Sequence, residues 1–103
     1  MTIPEIRGTL ALIDPHIRHH RSMRETGDYT YWDETHVLPF TGDGRHQAGW
    51  AFVVHRYTKQ ENDEIAARLF AQLDADDRIA VSYSMDSEPE TGYIHHIFDC
   101  EGA

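Results

Sequence analysis

The segment TKQENDEIAARLFAQLD, Thr58–Asp74, has the periodicity of a helix and lies between two segments with the periodicity of strands. Stepping about 100° per residue puts Ile65, Ala66, Leu69, Phe70 and Leu73 on one side, and Glu64, Ala67, Arg68 and Ala71 on the other. A helix with one apolar side must lie on something apolar. Before it, GWAFVVHRY (Gly49–Tyr57) is rich in β-branched and aromatic residues. After it, RIAVSYSM alternates, with Ile79, Val81, Tyr83 and Met85 facing one way and Ala80, Ser82 and Ser84 the other. The helix is expected over about 59–74, with Thr58 as cap and Glu61 completing a capping box. DADD then ends it.

TGYIHHIFDC follows the turn-like DSEPE, so the last two runs read as a C-terminal β-hairpin with a longer loop. YTYWDETHVLPF (Tyr29–Phe40) reads as another extended segment and TGDGRHQ as a loop. At the N-terminus TIPE forms a second capping box, with Pro4 suited to the first turn. Ile6, Leu10, Ile13 and Ile17 recur at helical spacing, but Asp14-Pro15 should break or kink a helix there. Asp14 could cap a second short helix running to Gly27. The rival reading makes GTLALI a strand; the pattern favours helices. The expected fold is a single α+β domain over residues 1–103. It has an N-terminal helix or helices and an antiparallel sheet of four to five strands, with the amphipathic helix packed on it.

A chain of 103 residues buries roughly two-thirds of its unfolded surface, enough for one modest core. Its 18 acidic residues against 9 basic give a net charge of -9, which argues against binding a nucleic-acid backbone as its main task. Arg7, Arg18, Arg21 and Arg24 make the first quarter locally basic, while acidic residues thicken from Glu61 onward. Such asymmetry suits head-to-tail packing of subunits. The single Cys100 allows no internal disulfide. No apolar run approaches 18 residues and Pro4, Glu5 and Arg7 interrupt the start, so neither a membrane span nor a signal peptide is expected.

Eight histidines invite a search for metal chemistry. On a regular strand, His95 and His96 point to opposite faces and cannot share an ion. His96 and Cys100, four residues apart on a strand, lie about 13 Å from each other. In DPHIRHH, His16 and His20 would meet at i,i+4 on a helix, with further ligands from His36, His46 or Asp33. There is no HExxH and no paired-cysteine knuckle, and a solvated basic helix face is the simpler reading. Ser82 and Ser84 follow no G-x-S-x-G elbow, and Cys100 sits where a pocket is hard to build. The expectation is therefore no catalytic residue, no cofactor and no metal. Tyr29, Tyr31, Trp32 and Trp50 suit either an aromatic surface or, better, a core.

The stretches WAFVVHRYTKQENDEIAARLFAQLD and EPETGYIHHIFDC together resemble the tail-terminator (tail-completion) proteins of long-tailed bacteriophages. The residues that carry the resemblance are Trp50–Tyr57, Ile65–Leu73, and Glu88, Glu90, Gly92, Tyr93, His95 and Ile97, within Gly49–Cys100. The chain is short for that family, and Asp14-Pro15 interrupts what is there a long first helix. The resemblance implies a structural virion protein, not an enzyme. It would form a homo-oligomeric ring, six subunits when assembled, that caps the tail tube and joins it to the head connector. The expected partners are thus the tail-tube protein and the head-connector protein, with DNA passing the lumen without specific binding and no membrane involved. Its expected location is the head–tail junction of the virion, reached by assembly in the host cytoplasm. A negative lumen would keep DNA from sticking. The candidate contact residues are Tyr29, Tyr31, Trp32, Asp43, Arg45, Glu88 and Glu90. Two other readings fit the size and charge. One is a small acidic phage inhibitor occupying the nucleic-acid groove of a host defence enzyme. The other is a ferredoxin-like dimeric enzyme using His95 or His16.

Overall fold

In the computed structural model, which describes residues 1–20, 26–39 and 49–103, the chain runs α1 (Ile3–Ile13), β1 (Arg18–His19), β2 (Tyr29–Val37), β3 (Trp50–Thr58), α2 (Glu64–Ala75), β4 (Ile79–Glu88) and β5 (Tyr93–Gly102). The strands form one sheet in the order β1-β2-β3-β5-β4. The fold is α+β, with two helices on a five-stranded sheet. The sheet is mixed, not antiparallel throughout: β1 runs parallel to β2, while β2–β3, β3–β5 and β5–β4 are antiparallel.

The first helix begins as its sequence predicts. The Thr2 hydroxyl accepts from the Glu5 amide at 3.2 Å, and Glu5 Oε1 accepts from the Thr2 amide at 3.0 Å. It ends at Asp14, whose amide bonds Leu10 O at 2.9 Å in an extended conformation, as the following proline requires. No second helix follows within residues 14–20, so Asp14 caps the end of one helix and not the start of another. Its carboxylate instead accepts from the His16 amide at 3.0 Å, turning the chain into β1.

The second helix starts later than expected. Thr58 is the fully buried last residue of β3 and donates to Asp28 Oδ2 at 2.9 Å, so it is not the cap. Asp63 takes that role, accepting from the Ala66 amide at 2.8 Å. The backbone stays extended through Thr58 because β3 pairs with β2 as far as Tyr57 and with β5 through Thr58 itself. Ala66, Leu69 and Leu73 face the sheet. Ile65 is half-buried and Phe70 is 45 % exposed, so the apolar side is narrower than the spacing implies.

Both helices cover the same face of the sheet. Ile6, Leu10 and Ile13 of α1 and Leu69 and Leu73 of α2 pack with Trp32, Phe52, Val54, Ile79, Phe98 and Cys100. Each large apolar side chain so buried contributes about 1.5–3 kcal/mol. The alternation expected in the hairpin holds: His96, Phe98 and Cys100 point into this core, and His95 points to the other face. There Tyr29, Tyr31 and Tyr57 form a second buried cluster with Tyr93 against it. At the hairpin turn Gly92, at φ 78°, donates its amide to Glu88 O at 2.9 Å, a left-handed conformation that favours glycine.

Candidate functional site

At the β1 edge, four side chains with metal-ligating or acid–base chemistry meet. The parallel register sets His19 beside Trp32, and the His20 amide bonds Trp32 O at 2.9 Å. Adjacent strand residues would normally diverge. Here His20 has φ 71°, which ends the strand and turns its ring back beside that of His19, with centroids 3.9 Å apart. The His19 ring in turn stacks on Trp32 at 4.1 Å. Two carboxylates from β2 close the group. His19 Nε2 pairs with Glu34 Oε2. His20 Nδ1 pairs with Asp33 Oδ1 at 2.6 Å, and His20 Nε2 lies 3.9 Å from Glu34 Oε1. The hydrogen bond from His19 holds the Glu34 carboxyl below its usual range, against the opposing effect of burial. Arg7 of α1 reaches the far side of His19, with its guanidinium 3.3 Å from Nδ1.

This is not the histidine pairing that helical spacing implied. His16 lies in the turn after α1, so the i,i+4 geometry with His20 does not arise. His36 contacts Thr35 and lies further along β2, and His46 is outside the described residues. Of the ligands considered from sequence, His20 and Asp33 come together. His19 and Glu34 were not singled out. Only the β1–β2 register and the backbone of His20 bring them close.

The candidate contact residues distribute unevenly. Trp32 is 1 % exposed and belongs to the main core, stacked by His19 and met edge-on by Phe52, so it cannot serve as a surface contact. Tyr29 and Tyr31 are buried in the tyrosine cluster, where Tyr29 stacks on Tyr57 at 4.9 Å and Tyr31 on His55 at 4.5 Å. They too are core and not surface. Glu88 ends β4 and accepts from the Thr91 hydroxyl at 3.2 Å, and Glu90 is exposed in the hairpin loop. Asp43 and Arg45 lie outside the described residues, as does the TGDGRHQ loop.

Apart from Glu88 at its end, β4 holds none of the contact residues expected from the sequence. This ten-residue strand is at the sheet edge, and the described residues place no strand on its outer side. Tyr83 and Met85 on it are 41 % and 59 % exposed, and Phe70 of α2 meets Tyr83 edge-on at 5.6 Å. Beneath them Tyr83 Oη bonds His96 Nδ1 at 2.6 Å, while His96 Nε2 is buried without a partner. Burial holds the His96 imidazole below its ordinary pKa. Cys100 is buried, donates to Phe98 O, and has its pKa pushed up to about 12 by burial, so it carries no thiolate at neutral pH.

A scan against protein-family models finds no match, and no curated protein matches the sequence. Fold and surface therefore define the class by themselves: a small α+β protein with two helices on one face of a mixed sheet, one long open sheet edge, and a histidine–carboxylate cluster at the opposite edge.

Proposed function

We propose that the protein is a structural subunit of a long-tailed phage, a tail terminator that assembles head-to-tail into a ring capping the tail tube beneath the head connector. The observation that carries this reading is the β4 edge. A ten-residue strand with an open hydrogen-bonding edge is a template for pairing with another chain. Exposed Phe70, Tyr83 and Met85 beside it supply apolar surface for such a contact. The two edges of the sheet differ in structure: β4 is a ten-residue open strand carrying Asp86 and Glu88, while the far edge is the two-residue β1, where Arg7 and Arg18 stand beside the histidine–carboxylate cluster. Unlike edges suit a heterologous interface that closes by rotation. The segments that resemble tail terminators cover β3, nearly all of α2, the hairpin turn and most of β5, and touch β4 only at Glu88. The open sheet face presents exposed Asp86, Asp99 and Glu101, a surface that would repel DNA in a lumen.

The test is deletion of the gene from its phage, with electron microscopy of the particles. Tails of abnormal length that fail to join heads are expected, rescued by the wild-type protein and not by Met85→Lys. Tails of normal length and normal infectivity without the protein overturn the reading. Capture of a single basic host enzyme by the monomer would then favour an inhibitor.

A further inference from the structure

We infer that His19, His20 and Glu34 form a binding site for one divalent transition-metal ion, with zinc the best match to their donor set. This proposal does not depend on the phage reading. One ligand atom from each residue lies within 4.8 Å of the others. Nitrogen and oxygen donors around zinc at about 2.0–2.2 Å stand about 3.4 Å apart, so a modest inward shift of the three side chains completes the set. Two imidazoles and one carboxylate are a familiar zinc ligand combination, leaving a fourth position for water or another donor.

Three features distinguish this group from a chance meeting of surface residues. The first is the backbone. A non-glycine residue at φ 71° is uncommon, and here it is the feature that sets two consecutive imidazoles side by side instead of on opposite faces. The second is the support behind each ring. Asp33 Oδ1, 2.6 Å from His20 Nδ1, is the carboxylate–histidine pairing that fixes a ligand's tautomer and leaves Nε2 for the metal. Trp32, fully buried, holds the plane of His19 by stacking. The third is access. The side chains of His19 and Glu34 are 21 % and 27 % exposed, and that of His20 is 58 % exposed, so an ion can enter from solvent.

Coordination rearranges one proton. In the structure Arg7, a donor only, faces His19 Nδ1, so the neutral ring carries its proton on Nε2 toward Glu34. With Nε2 on the metal, the neutral ring carries the proton on Nδ1, and the exposed Arg7 guanidinium swings away. Glu34 then exchanges a hydrogen bond for a metal bond. The ion clips the two-residue strand β1 to β2, a pairing otherwise held by a short parallel ladder.

The experiment uses the full chain without a histidine tag. Zinc titration followed by dialysis and elemental analysis should retain one equivalent, and melting temperature should rise with zinc concentration. Cobalt substitution should give the intense visible absorption of a four-coordinate ion. His20→Asn, which tolerates the left-handed backbone, and Glu34→Gln should each weaken binding at least tenfold. His16→Ala and His36→Ala should leave it unchanged. Because His19 packs on Trp32, His19→Ala could misfold; the exposed His20→Asn keeps the test decisive. No retained zinc, or retention undiminished in His20→Asn and Glu34→Gln, overturns the proposal.

Discussion

The guanidinium of Arg56 grips the carboxylate of Asp63 through two hydrogen bonds, Nε to Oδ2 at 2.8 Å and Nη2 to Oδ1 at 3.0 Å, with both side chains buried. Asp63 Oδ2 also caps α2, and Arg56 Nη1 donates to the Thr30 hydroxyl at 3.2 Å. One carboxylate therefore joins the end of β3, the start of α2 and, through Arg56, the start of β2.

Removing Arg56 leaves the buried Asp63 carboxylate without its counterpart, and removing Asp63 leaves the buried Arg56 guanidinium with the more distant Asp28, at 3.9 Å. Arg56→Ala or Asp63→Ala should each cost about 3–5 kcal/mol, and the double replacement Arg56→Met with Asp63→Ser should recover much of that. Burial works to raise the Asp63 pKa, but the hydrogen bonds from Arg56 and the Ala66 amide outweigh it and hold it below 3.8. The unfolded chain thus takes up this proton more readily than the folded one. Stability from the pair is fully present above about pH 4 and is lost as pH falls through the folded value. Urea unfolding of wild type and Asp63→Asn between neutral and acid pH is the check. Equal acid sensitivity in the two would disprove the assignment.

His96 imposes a separate pH dependence. Its burial keeps the folded pKa below 6.5, with nearby Asp63 raising it and Arg56 lowering it. Below pH 6.5 the unfolded state binds a proton that the folded state does not, so stability should fall as pH drops from 6.5 toward the folded value. His96→Phe should flatten this part of the stability–pH curve, measured by denaturant titration. A variant with the wild-type slope there would rule His96 out as its source.

On α2 the packing predicts a sharp contrast between neighbours. Leu69 is fully buried, and Leu69→Ala should cost about 2–5 kcal/mol. Phe70→Ala and Arg68→Ala, at exposed positions, should change stability by about 0.5 kcal/mol or less. Thermal melts of the three variants decide it; a large loss at Phe70 with little at Leu69 would reverse the faces.

Cys100 should be inert in the native protein. With its pKa near 12 and its side chain in the core, it should resist a thiol reagent at pH 8 and react fully in denaturant. Its native-state labelling rate should then track global opening and rise in Leu69→Ala. Rapid labelling without denaturant would show that β5 opens on its own.

What could be read from the chain follows the range of the interactions involved. The α1 capping box, the proline stop and the alternation of β4 and β5 depend on residues a few positions apart, and the sequence displays them. The start of α2 depends on Arg56 and Asp63 meeting in the core; TKQE matched a local motif just as well, and the tertiary pair prevailed. Phe70 lies at the border of the helix's apolar arc, and which border residue is covered depends on where the sheet ends. The histidine–carboxylate cluster was hidden for a stronger reason. Fifteen positions separate His19 from Glu34, and the rule that strand neighbours diverge is suspended at His20 by a backbone angle no side chain announces.

The strand order has a consequence for how the molecule is made. β5 lies between β3 and β4, yet it is the last of the five strands in chain order. Synthesis proceeds from the N-terminal end, so β3 and β4 leave the ribosome before the strand that separates them in the sheet exists. Until β5 emerges, both must wait without their shared neighbour. The adjacent β4–β5 hairpin gives the late strand a local route to its place, and its docking on β3 joins the two halves of the sheet in one closing step.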